Sequence, residues 1–231
     1  MITLTSNGPC AARGFGALVG SPATDPYFAY VTLLMHCDGV NTGTTFTDNS
    51  NTAHSLTASG NTVTSSAQFK FGNASLRTRS AGAQVTCSNT GFDFGTGDFT
   101  VECWYYLDGV FAPDALSGIF SNSSARSFFA GFGSSTNNLI SSGAAGPTGT
   151  TGWAHGMTSS AWNHIAWVRN GANRTIYVNG NSIGTAADVS GVSFSPTAGT
   201  AYIASSPDTG TPTIYGYADE FRITKGIARY T

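Results

Sequence analysis

Hydrophobic and polar residues alternate along this chain with a period of two, in short runs, and nowhere with the 3.6-residue spacing of a helix. In Phe99–Tyr106, Phe99, Val101, Cys103 and Tyr105 alternate with Thr100, Glu102, Trp104 and Tyr106. In His164–Arg169, Ile165 and Trp167 share one face, and Ala166 and Val168 the other. Both faces of these runs are largely apolar, as central strands covered on both sides require. The pattern predicts further strands at Val31–His36, Ser55–Ala58, Ala83–Cys87, Gly118–Phe120, Ser127–Phe132, Thr175–Val178, Ala201–Ala204 and Ala218–Ile223. Many short strands with no helix between them predict an all-β fold, a two-sheet antiparallel jelly-roll sandwich.

The punctuation between strands is specific in places. Asn179-Gly180, between Thr175–Val178 and Ser182–Gly184, is a strong hairpin signal, so residues 162–185 read as a three-stranded meander. Residues 133–160 are rich in Gly, Ser and Thr and read as a long loop with one short strand, Asn138–Ile140. Residues 1–30, with Pro9, Pro22 and Pro26, read as an extended N-terminal arm, leaving 31–231 as the jelly-roll domain. Trp104, Trp162 and Trp167 lie in strand runs and are expected in the core, whereas Trp153 lies in the long loop.

Composition narrows the partners. The 231 residues suit one large domain, and only 10% are charged, against about 25% in soluble domains generally. A net charge of -2 neither tracks a phosphate backbone nor steers toward anionic lipid, so no nucleic acid and no membrane insertion are expected. Arg13 and several glycines interrupt the only apolar block near the N-terminus, so no secretory leader is predicted, and synthesis and folding in a reducing cytoplasm are expected. Cys10, Cys37, Cys87 and Cys103 form no CxxC pair and read as small thiols, most of them buried.

Catalytic signatures fail one by one. Glutamate occurs only as Glu102 and Glu220. A glycosidase needs two carboxylates flanking the scissile bond, and Asp219 and Glu220, adjacent on a strand, point to opposite faces. Gly180-Asn-Ser182-Ile-Gly184 matches a nucleophile elbow in spelling, but it follows a hairpin turn into a strand. The four histidines have no zinc spacing. The chain therefore reads as a non-enzyme. Asp38, Asp48 and Asp219, the first two among Gly, Asn and Ser, are the oxygen-rich positions a hard cation such as calcium uses, although Asp and Asn also simply make turns.

Five separated blocks carry a resemblance. They are Leu33–Gly39, Thr45–Asp48 with Ala67–Leu76, Phe92–Trp104, Trp162–Arg169 with Ile176–Gly180, and Tyr217–Tyr230. Together they resemble a laminin-G-like, concanavalin-A-like jelly-roll domain, and the closing run is most similar to the version found in tailed-bacteriophage structural proteins. The resemblance implies non-catalytic glycan or protein recognition. It also implies a structural calcium held by Asp38 and Asp219, with Asp48 as loop ligand.

The expected function is a virion accessory protein, a decoration or adhesion protein that is a homo-oligomer or present in several copies in the particle, whose arm contacts other virion proteins and whose domain meets a host-surface glycan. A purely architectural cement protein and a free bacterial lectin are the alternatives. Glycan contacts are expected from Trp153, with His155, Asn137 and Asn138 as polar neighbours and the loop 108–115 beside them.

Overall fold

The computed structural model describes residues 25–78, 82–108, 117–123, 127–133, 138–142, 151–186, 190–196, 199–205 and 216–231. Among these, the strands build two antiparallel sheets packed face to face, the expected jelly-roll sandwich. The front sheet runs β13 (Asn181–Ala186), β12 (Asn173–Val178), β11 (Trp162–Asn170), β6 (Phe99–Leu107), β15 (Gly216–Lys225), β4 (Ser75–Thr78) and β3 (Val63–Ser65), with β1 (Val31–Met35) also paired to β15. The back sheet runs β10 (Thr151–Ala154), β9 (Asn138–Ser142), β8 (Phe129–Phe132), β7 (Ser117–Ser121), β14 (Thr200–Ile203), β5 (Gln84–Ser88) and β2 (Thr57–Ser59). No helix among the described residues is long and apolar enough to cross a membrane.

Alternation in β6 and β11 does what the sequence predicts on the inner face. Phe99, Val101, Cys103 and Tyr105 lie opposite Arg169, Trp167, Ile165 and Asn163, and all eight are buried. Phe94 stacks on Phe99 at 4.3 Å between ring centroids, and Phe128 meets Phe99 edge-on at 4.8 Å. Burying each such ring stabilises the fold by roughly 1.5–3 kcal/mol. Cys37, Cys87 and Cys103 are free, buried thiols, while Cys10 lies outside the described residues. The β12–β13 hairpin turns at Asn179 and Gly180, with φ of 50° and 80°, the left-handed pair a two-residue turn demands.

Residues 133–160 are not one long loop. β9 and β10 pair antiparallel, with Leu139 opposite Trp153 and Asn138 opposite Ala154. Each strand is too short, and too rich in Gly, Ser and Thr, to show a period of two.

β15 changes partner midway along one edge. Gly216–Ala218 pair with β4, Phe221–Thr224 pair with β1, and the ladder to β6 shifts register between Asp219 and Arg222. Glu220, at φ 50°, is the bulge residue. The strict alternation expected of Asp219 and Glu220 therefore breaks, and both carboxylates reach the corner where β1 ends.

One half of the front sheet's outer face is sealed by the two ends of the described chain. Asp25 pairs with Arg229 at 2.8 Å and with Arg222 at 3.2 Å. Arg222 reaches Glu102 at 2.7 Å. The second Glu102 oxygen accepts the Tyr230 hydroxyl hydrogen and lies 3.1 Å from His164 Nε2. Burial works against the Glu102 carboxylate, but Arg222 and the His164 contact hold its pKa below the usual range. Tyr230 also caps a small cluster of Ala166, Val168 and Tyr177. Residues 25–30, assigned by sequence to the arm, are thus packed on the domain, while the arm's first 24 residues lie outside the described residues.

Candidate functional site

The three aspartates expected to share a cation do not form one ligand set. Asp48 is buried, and both its oxygens are occupied. Oδ1 accepts the Leu34 and Ser50 N–H groups at 3.0 and 2.9 Å. Oδ2 accepts the Ser50 hydroxyl at 3.0 Å and the His54 N–H at 2.8 Å. His54 Nδ1 lies 2.7 Å from the same oxygen, and His54 Nε2 lies 2.8 Å from the Thr90 carbonyl. Both ring nitrogens face acceptors, so both must donate: His54 is an imidazolium paired with Asp48. Burial opposes each charge, but the hydrogen bonds between them raise His54's pKa and, with the N–H donors, lower that of Asp48 to about 2. Asp48 is a structural anion that ties the 48–54 loop to β1, with both of its oxygens taken by protein donors.

Asp38 and Asp219 do sit in one neighbourhood, at the β15 bulge. Asp219 Oδ2 accepts the N–H groups of Lys70 and Phe71 at 2.8 and 3.0 Å, and Oδ1 accepts that of Glu220 at 2.8 Å. Burial pushes its pKa up to about 7; the Lys70 and Phe71 donors oppose this, and the Glu220 charge adds to it. Glu220 Oε1 lies 2.8 Å from His36 Nδ1, and this hydrogen bond raises the His36 pKa. The other Glu220 oxygen is buried and makes no hydrogen bond. Asp38 is exposed and accepts the Asn73 N–H at 2.7 Å. Gly72, at φ 61°, passes so close that a β-carbon there would fall 1.9 Å from Asp38 Oδ1. His36, Cys37, Asp38, Thr47 and Asn49 line an open cleft of about 270 Å³. Among the described residues, no group of three or more His, Cys, Asp or Glu side chains is disposed to hold a metal ion.

Of the four residues expected to bind glycan, three are described, and Trp153 and Asn138 stand on opposite faces of their sheet. Trp153 packs on the core from β10, and its indole lies over Gly184 of β13, closing the side where the two sheets end. It shares the inner face with buried Leu139. Asn138, opposite Ala154, stands one residue along and so on the outer face. His155 is half-buried, and its Nδ1 accepts the Met157 N–H at 2.9 Å. Asn137 lies outside the described residues, as does most of the loop 108–115.

A different surface has the makings of a recognition site. Across the front sheet, the register places Trp162, Tyr106, Tyr217, Arg77 and Val63 side by side on β11, β6, β15, β4 and β3. They share the outer face, because their neighbours Tyr105, Ala218 and Leu76 point into the core. Tyr106 meets Trp162 edge-on at 5.6 Å and Tyr217 at 5.9 Å. One row along, Trp104 carries Phe71 at 6.0 Å and the Lys70 ammonium 4.2 Å above its ring. Trp104, Tyr106, Trp162, Phe71 and Arg77 are all partly exposed, Lys70 is exposed, and Phe69 is 45% exposed. This terrace begins where the covering by residues 25–30 and 227–230 stops. Of the tryptophans expected in the core, only Trp167 lies there; Trp104 and Trp162 belong to the terrace. Period-two alternation placed Trp104 and Tyr106 on a shared face but carried no information on whether that face is covered.

Comparison with known proteins agrees with the fold. Residues 78–227, well over half the chain, match the Laminin_G_3 model of the concanavalin A-like lectin/glucanases superfamily, and the chain belongs to this family. No curated protein matches the sequence. Among solved structures, the binding domain of Paraclostridial Mosquitocidal Protein 1 is similar, with a TM-score of 0.67, 13% identity, and coverage of 88% of this chain and 51% of that one. A botulinum neurotoxin type C structure, whose cell entry depends on interaction with two ganglioside molecules, gives 0.60, 14%, 88% and 50%. Domain 4 of AbnA, a GH43 extracellular arabinanase from Geobacillus stearothermophilus, in complex with arabinotriose, gives 0.58, 12%, 86% and 93%. The chain thus spans about half the length of the toxin domains and nearly all of the arabinanase domain. At these identities the likeness is one of fold.

Proposed function

We propose that this chain is a non-catalytic glycan-recognition module, carried as an accessory decoration or adhesion protein of a tailed-phage virion and linked to other virion proteins through its N-terminal segment. The observation that carries the recognition role is the terrace of partly exposed Trp104, Tyr106, Trp162 and Phe71 on the open half of the front sheet. Aromatic faces flanked by polar groups are what a sugar ring, with one apolar and one hydroxylated side, stacks upon. Two fold neighbours are recorded with saccharide partners, a ganglioside and arabinotriose, which favours the same use of this fold here. Glu102 is bound into the Asp25–Arg229–Arg222 network and Glu220 to His36, so neither is set across a cleft from a partner carboxylate as glycoside hydrolysis needs.

Two measurements test the proposal. Purified protein on a printed glycan array is expected to retain saccharides, and loss of all retention would count against the module. Mass spectrometry of purified particles from the source phage is expected to find the protein in several copies. Deleting residues 1–24 is expected to leave a folded domain that no longer incorporates, and full incorporation would overturn the attachment role.

A further inference from the structure

Resting on that reading, we infer that the terrace takes an anionic saccharide, one bearing a carboxylate, phosphate or sulfate. The argument starts from how few cations the protein has and where they go. The whole chain has 10 Lys and Arg residues against 12 acids. Among the described residues, Arg169, Arg174, Arg222 and Arg229 are buried. The described cations that reach solvent are Lys70, Arg77 and Lys225, and two of these three stand on the terrace.

Each is set against an aromatic ring. Lys70 Nζ lies 4.2 Å from the Trp104 centroid, and the Arg77 guanidinium carbon lies 5.8 Å from that of Tyr217. The Lys70 contact holds a charge over the partly exposed Trp104 ring, whereas the Tyr217 ring under Arg77 is itself buried. The Arg77 Nε is buried and makes no hydrogen bond. Lys70 is held by its backbone: its N–H donates to Asp219, which fixes the 69–71 turn beside Trp104. Two of the nearby acids are turned away from these cations, while Asp38, held against the 72–73 turn two residues from Lys70, is exposed. Asp219 turns its carboxylate inward to the Lys70 and Phe71 N–H groups, and Glu102 lies in the sealed ion network. Asp108, the next outward position after Tyr106, is exposed at the rim. With two of the three solvent-reaching cations among the described residues beside its exposed aromatic rings, this face is matched to a ligand that is both stackable and negative.

The test is binding of the full chain to a printed array holding neutral and anionic glycans, followed by titration with matched pairs. The pairs are 3′-sialyllactose against lactose, and trigalacturonate against its carboxyl-reduced form. Retention is expected to concentrate in the anionic members and to weaken as NaCl rises. Lys70→Ala and Arg77→Gln are each expected to weaken binding roughly fivefold, the size of one exposed charge interaction. Trp162→Ala is expected to weaken it roughly tenfold through lost stacking. Lys70 is exposed, so its variant tests the site even if Trp162→Ala misfolds. Retention of neutral glycans, lost in Trp162→Ala, would overturn the charge inference and leave the module standing. Binding untouched by all three variants would overturn the terrace as the site. No retention of any glycan would overturn the module itself.

Discussion

The indole of Trp153 lies directly over Gly184: a β-carbon on residue 184 would fall 2.2 Å from the ring. β10 and β13 are edge strands of the two sheets, so this contact helps close one side of the sandwich. Gly184→Ala is expected to destabilise the domain by about 1–3 kcal/mol, because the ring cannot move without leaving the core. Trp153→Ala, at a partly buried site, is expected to cost about 2–4 kcal/mol and to leave glycan affinity per folded molecule unchanged. Denaturant unfolding paired with array binding checks both.

The Asp48–His54 pair makes stability depend on pH from two sides. His54's pKa is raised on folding, so its contribution is complete below about pH 6.5 and fades as pH rises through the folded value. Asp48's is lowered to about 2, so its contribution is complete above about pH 4 and fades toward pH 2. The pair supports the fold most between about pH 4 and 6.5. His54→Gln is expected to cost about 1–3 kcal/mol near pH 5.5 and to flatten the decline above it. Melting curves across pH 4–9 give the comparison.

Asp219 acts in the opposite sense to Asp48. Its pKa rises on folding to about 7, so the protonated form is favoured in the native state and stability falls as pH climbs from about 4 through 7. Asp219→Asn cannot ionise and is expected to remove that slope, at the cost of roughly 1 kcal/mol for the lost Glu220 N–H acceptor. An unchanged slope in the variant would show that another group titrates there.

With Asp48 committed to His54, the Asp38–Asp219 corner lacks the third carboxylate of the expected calcium site. A cation at 100-fold over its dissociation constant would add about 2.7 kcal/mol, or roughly 5–11 °C in a domain of this size. Melting temperatures in millimolar calcium and in chelator are expected to agree within about 1 °C. A shift of the larger size would restore the ion, with Asp38→Asn the variant that abolishes it.

The fold was legible because apolar alternation is a local property. β6 begins at Phe99 and ends at Leu107, as its residues predict, and the Asn179-Gly180 turn needs no context beyond its own dihedrals. The site was less legible, for reasons of two kinds. Whether Trp104 and Trp162 meet solvent depends on where residues 25–30 and 227–230 lie, a long-range fact that no strand pattern encodes. Asp48 and Asp219 were both read as oxygen ligands, yet one faces an imidazolium and the other faces backbone amides. The bulge at Glu220 was hidden as well, since nothing local distinguishes it from a regular strand position.

Asp25 and Arg229 are in contact, although 204 positions separate them. Mechanically, this makes the domain a pendant rather than a link. A load applied between these two residues, one near each end of the described chain, meets the Asp25–Arg229 ion pair and its anchors on β6 and β15 before the hydrogen-bond ladders of the sheets. A pull between such attachments would peel the clamp open at one point before it sheared any strand. The sandwich can therefore stay intact, with its terrace presented, while the clamp alone takes the strain.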